Sequence, residues 1–151
     1  MDMISRRITF ALAALALLAA CKDDSSPYLE FAGGGFVFNY RTADDYYGFV
    51  ARLKKPLPEG GKVEAQFEVP QGGPEILTED VQEGQFQYVF RTSNLRGVVK
   101  DHPYKAVLLV RDKTGAEMAR YERTFQTDVD QSTLPTDPLV VGPGYQKAPG
   151  G

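Results

Sequence analysis

The sequence predicts an all-β protein, built as a single antiparallel β-sandwich of about seven strands. Three observations lead there. Across residues 36–127 apolar and polar residues alternate with a period of two, the spacing of a strand buried on one face. Gly- and Pro-rich clusters separate the alternating runs, and none of these runs carries helical periodicity. Short strands with turn signals between them, and no helices, suit a sandwich rather than βαβ units.

Phe36, Phe38 and Tyr40 mark the first strand, preceded by Gly33-Gly34-Gly35, which reads as a bulge or flexible lead-in. Tyr47, Phe49, Ala51 and Leu53 share one face of the next, with Arg52 and Lys54 opposite. Two Gly/Pro clusters, at residues 55–61 and 70–74, cannot continue a ladder. Between them Val63, Ala65, Phe67 and Val69 alternate with Lys62, Glu64, Gln66 and Glu68. Residues 75–81 carry the weakest strand pattern. Phe86, Tyr88 and Phe90 then alternate with Gln85, Gln87 and Arg91. Residues 104–111 are apolar on both faces (Ala106, Leu108, Val110 against Val107, Leu109), which predicts a central strand. Asp112-Lys113-Thr114-Gly115 forms a hairpin loop into a last strand near residues 117–127. There Ala119, Tyr121 and Phe125 share a face that Arg123 interrupts, the mark of an edge strand or a bulge.

The chain of 151 residues predicts one domain with tails. Residues 1–7 contain Arg6-Arg7, and residues 8–20 (ITFALAALALLAA) form an uncharged run. As a helix that run would rise about 20 Å, short of a hydrocarbon core of about 30 Å. A basic start, a short apolar run and small residues at its end describe a signal peptide over residues 1–20. Leu18-Ala19-Ala20-Cys21 closes it and resembles the lipobox of bacterial lipoproteins. The resemblance implies a diacylglyceryl thioether on Cys21 and cleavage before it. Two or three acyl chains anchor a small protein stably, where one does so only marginally. Lys22, rather than Asp, follows Cys21, which favours an outer-membrane lipoprotein on its periplasmic face. Ser5-Arg6-Arg7 resembles part of a twin-arginine signal, although Thr9 stands where that motif prefers Phe, so both export routes stay open.

Residues 21–27 read as the lipidated N-terminus and a polar tether, and residues 28–127 as the sandwich. Residues 128–151, with four Pro and four Gly, read as a disordered tail in which Leu139-Val140-Val141 is the one segment able to dock. Cys21 is the single cysteine, so core packing must stabilise the fold without a disulfide. Val98 stands six residues before Tyr104, which opens the penultimate strand. This resembles the tyrosine corner of immunoglobulin-like and fibronectin type III domains, whose hydroxyl bonds to backbone upstream. A transthyretin-like sandwich is the second choice.

Catalytic material is sparse. His102 is the only histidine, so a multi-histidine metal centre cannot form within one chain. The serines, Ser93 among them, lack a nucleophile-elbow context. Asp44-Asp45 and the set Glu79, Asp80, Glu83 read as solvated loop charges without calcium-loop spacing. No enzyme, cofactor or metal is expected. Removing Asp2, Arg6 and Arg7 from the 17 basic and 20 acidic residues leaves 15 and 19, a side-chain charge of −4. That balance argues against nucleic acid as a partner. Tyr40, Arg41, Tyr46 and Tyr47 form the candidate interaction stretch, since Tyr and Arg are favoured at interface hot spots. The expected protein is a membrane-anchored, non-catalytic envelope lipoprotein, monomeric in isolation, that binds or scaffolds an envelope protein. The alternative is a carbohydrate or peptidoglycan module that uses exposed Tyr.

Overall fold

The computed structural model describes residues 25–149. The signal peptide, the lipobox and Cys21 lie outside the described residues. Seven strands make the sandwich: β1 (Leu29–Asn39), β2 (Asp44–Leu53), β3 (Lys62–Glu68), β4 (Pro74–Asp80), β5 (Gln87–Arg91), β6 (Tyr104–Arg111) and β7 (Glu117–Phe125). One sheet has the order β1-β2-β5 and the other β4-β3-β6-β7, with every pairing antiparallel. In constant-type immunoglobulin sandwiches the fourth strand joins the sheet of the first; here β4 pairs with β3 instead.

The inward positions of both sheets meet in an aromatic core. Tyr47 and Phe49 of β2 lie 5.1 and 5.2 Å from Phe67 of β3, ring centroid to centroid. Phe125 of β7 stacks on Phe49 at 6.2 Å, and Phe36 of β1 on Tyr47 at 4.8 Å. These rings supply the large buried areas that a fold lacking a disulfide needs. Strand β6 is central, as its two apolar faces predict. Its outward Leu109 is nonetheless fully buried, beneath a polar cover. Arg111 reaches Glu64 with Nε at 2.8 Å and Nη2 at 3.1 Å, and Gln66 donates to the same carboxylate. The Arg111 bonds hold the Glu64 carboxyl below its ordinary pKa.

At the start of β6 the Val99 N–H donates to the Tyr104 hydroxyl at 2.8 Å, the bond by which a tyrosine corner ties the loop to the strand. Tyr104 and Val98 are both buried. Strand β7 is an edge, with a register shift opposite Val110 and Arg111. The residue 75–81 pattern becomes the full edge strand β4. In the hairpin loop Asp112 Oδ1 accepts from the Thr114 and Ala116 amides, and Gly115 takes a φ of 88°.

Several expectations are corrected. Tyr40 leaves the first strand for the β1–β2 turn, because β1 begins earlier, at Leu29, and ends at Asn39. Phe86 lies outside the strand alternation, because β5 begins only at Gln87, and it is 69% exposed while its carbonyl accepts the Leu53 N–H. Asp45 is no solvated loop charge: it lies on β2 and is 2% exposed. Residues 128–149 are not a plain disordered tail. They hold a 3₁₀ turn (Gln131–Thr133) and a small hairpin of β8 (Val140–Val141) and β9 (Gln146–Lys147). The tail is held through Gln131, whose amide donates to Asp45 Oδ2 and the Leu95 carbonyl and accepts from the Val98 N–H. Arg96 adds a bond to the Thr136 carbonyl, and the Arg41 carbonyl accepts from Leu139 and Val140.

Candidate functional site

The outer face of the β1-β2-β5 sheet carries the most distinctive surface. Register places Tyr46 opposite Val37, Gly48 between Gly35 and Arg91, and Val50 between Gly33 and Val89. The result is a shallow groove of about 440 Å³ with glycines along its floor. Val37 and Val89 on its walls are 42% and 59% exposed. Tyr46 closes one end, where the Arg91 guanidinium lies 4.5 Å from its ring centroid and 3.7 Å from Asp44. Such a stacked guanidinium keeps its charge while presenting a flat face.

The glycines differ in what they do. A Cβ at Gly48 would meet the Phe90 carbonyl at 2.4 Å, and one at Gly34 would meet the Gly48 carbonyl at 2.5 Å and Phe125 at 2.8 Å. Those two are required by close packing. Gly33 and Gly35 would point a Cβ into open space, so nothing within the domain demands them. Gly35, which lines the groove, thereby leaves it empty. The ladder itself slips between Phe31 and Gly33, which is the bulge the glycine triplet predicts.

Strand β1 borders this face and is an edge over its 11 residues, with no strand paired to its outer side among the described residues. It contains neither Lys nor Pro, the residues that commonly blunt an edge. At its start the Tyr28 N–H donates to the Tyr121 hydroxyl of β7 at 2.8 Å, which ties down that end alone.

The candidate stretch is therefore divided by the pleat. Tyr47 is fully buried and donates its hydroxyl to the Glu68 carbonyl at 2.7 Å; it is a core residue and cannot meet a partner. Burial pushes the Tyr47 hydroxyl pKa well up. Tyr46 lines the groove. Tyr40 and Arg41 sit on the β1–β2 turn beside the β8–β9 hairpin, where the Arg41 guanidinium lies 5.4 Å from the Tyr145 ring centroid. Tyr40 and Tyr145 are 57% and 62% exposed. The groove residues Val37, Val50 and Val89 were absent from the expected site. Their signal was present: each is apolar at a position where alternation calls for a polar residue.

His102 stands 3.1 Å from Glu68 Oε1, whereas the Ser93 hydroxyl donates to Glu75, so different carboxylates hold the two. The Lys105 backbone N–H and His102 both hold the Glu68 carboxyl below its ordinary pKa. Among the described residues no three His, Cys, Asp or Glu side chains gather to hold a metal ion. No protein-family model matches the chain, and no curated protein matches it.

Proposed function

We propose that this chain is a membrane-anchored, non-catalytic envelope lipoprotein whose β-sandwich binds a protein partner. The anchor is the lipid on Cys21, and the site of action is the periplasmic face of the outer membrane. One observation carries the partner reading: the open β1 edge runs beside an apolar groove that glycines keep empty. An added strand would find main-chain hydrogen bonds along β1, and apolar side chains would find Val37, Val50 and Val89. The Tyr46–Arg91 pair supplies residue types favoured at the centre of interfaces.

The second reading, a carbohydrate or peptidoglycan module, rests on Tyr40 and Tyr145. Both are exposed and share the end of the sandwich with Arg41. They stand on a turn and a hairpin, not in a row along a sheet face, which favours the first reading.

A photo-crosslinking residue at Val37 in the native host should trap a discrete protein, and the same residue at Thr78 on the opposite sheet should not. Cys21→Ser should leave an uncleaved precursor and abolish the crosslink. Equal crosslinking from both positions, or peptidoglycan binding lost in Tyr40→Ala, would turn the choice to the second reading.

A further inference from the structure

The start of β1, the end of β2 and the start of β5 meet at the end of the sandwich opposite the β1–β2 turn. There the Leu53 N–H donates to the Phe86 carbonyl at 2.9 Å, and the Lys54 N–H to the Tyr28 carbonyl at 2.8 Å. Tyr28, Lys54 and Phe86 therefore form a row across the rim of the β1-β2-β5 sheet. Phe86 is 69% exposed, the most open of the large apolar side chains among the described residues. Its neighbours in alternation, Tyr88 and Phe90, are buried in the core, so the Phe86 ring adds an apolar surface that the domain itself leaves uncovered. Pro56 on the β2–β3 loop is exposed at the same end. Lys55 Nζ lies 4.4 Å from the Tyr28 ring centroid, and Lys54 Nζ 3.3 Å from Glu30.

The chain enters the domain at this same rim. Six residues lie between Cys21 and Tyr28, and an extended segment of that length spans about 20–25 Å. A lipid on Cys21 would therefore hold the rim close to the bilayer. We infer that this end of the sandwich docks on the phospholipid surface that carries the anchor, with the Phe86 ring at the boundary between headgroups and acyl chains and Tyr28 at headgroup level. The inference rests on the lipidation of Cys21 proposed above. Charges of both signs share this end, Lys54 and Lys55 with Glu30, Glu59 and Glu83, so attraction to anionic lipid is weak and the ring makes the contact. A zwitterionic surface is sufficient. The docked sandwich stands upright, and the 11 residues of β1 lift the β1–β2 turn about 35 Å from the rim. The Tyr46 end of the groove then faces away from the bilayer, open to a partner.

The test uses the lipidated chain reconstituted in phosphatidylcholine vesicles. The thioether occupies Cys21, the single cysteine, so an introduced cysteine alone takes a thiol-reactive fluorophore. Quenchers carried on the lipid acyl chains should quench a fluorophore at Gln87→Cys, next to Phe86, and leave one at Tyr145→Cys, at the far end, unquenched. Adding Phe86→Ser to Gln87→Cys should lower its quenching to the Tyr145 level, while the protein stays on the vesicles through its lipid. Salt at about 0.5 M, which screens exposed charges, should leave the quenching at Gln87 unchanged. Equal quenching at both positions on vesicle-bound protein, no effect of Phe86→Ser, or quenching that salt abolishes would overturn the docking and leave the anchor standing. A wild-type chain that takes the fluorophore at Cys21 would overturn both, since its thiol would be free of lipid.

Discussion

Hydroxyl groups on aromatic rings decide much of this molecule at the residue scale. Tyr104 and Tyr121 each accept a backbone N–H from a segment next to a strand, the loop at Val99 and Tyr28 just before β1. Replacing either by Phe keeps the ring and removes one acceptor. Tyr104→Phe should lower stability by about 1–2 kcal/mol, because its hydroxyl belongs to a buried side chain. Tyr121 stands in an edge strand, where its hydroxyl would be expected to meet water and its loss to cost little. The bond to Tyr28 changes that expectation, and Tyr121→Phe should cost about 0.5–1.5 kcal/mol. Urea denaturation of both variants checks the pair, and wild-type stability in Tyr104→Phe would remove the corner as a structural tie.

At the scale of elements, the glycines of β1 and the polar cover of β6 allow separate tests. Gly34→Ala forces a Cβ against the Gly48 carbonyl and Phe125, and should cost about 1–3 kcal/mol through overpacking. Gly35→Val meets open space on the outer face and should be neutral or slightly stabilising, because Val suits a strand better than Gly. It also fills the groove, so the Val37 crosslink should fall while the urea midpoint holds. The cover over Leu109 adds a pH dependence. The Glu64 carboxyl titrates below its ordinary value of 4.5 in the folded state because Arg111 bonds its charged form. Its contribution is complete above the unfolded pKa and is lost as pH falls through the folded one. Glu64→Gln should therefore leave the pH dependence above the unfolded carboxylate pKa unchanged and flatten the fall of stability below it, as urea midpoints on both sides of that value will show.

For the whole molecule, the C-terminal segment belongs to the fold. Gln131 satisfies three groups at once, and Asp45 behind it is a buried carboxylate that also lies 3.6 Å from the Arg96 guanidinium. Gln131→Ala strips the Val98 N–H, the Leu95 carbonyl and the Asp45 carboxylate of a partner together. A loss of about 3 kcal/mol is expected, since one of the three is charged. Truncation after Val129 should reproduce that loss, and equal urea midpoints for the full and truncated chains would show that the segment merely rests on the surface.

Strand positions, turns and the central place of β6 were legible in the residues because a period of two and a Gly/Pro cluster are local properties. The same alternation placed Tyr47 with Phe49 and Ala51, on the face that proved to be the core. The lipobox at Leu18–Cys21 is likewise local, and its consequences rest on the sequence alone. The pairing of β4 with β3 and the groove over Gly35 and Gly48 came only from tertiary structure, because each depends on which strands lie side by side. The Gln131–Asp45 bond joins residues 86 positions apart, and composition had marked one as tail and the other as loop. Whether a polar residue is buried depends on a partner that the chain brings from far away. Local pattern cannot show that partner, so the sequence determined the strands while packing decided the site.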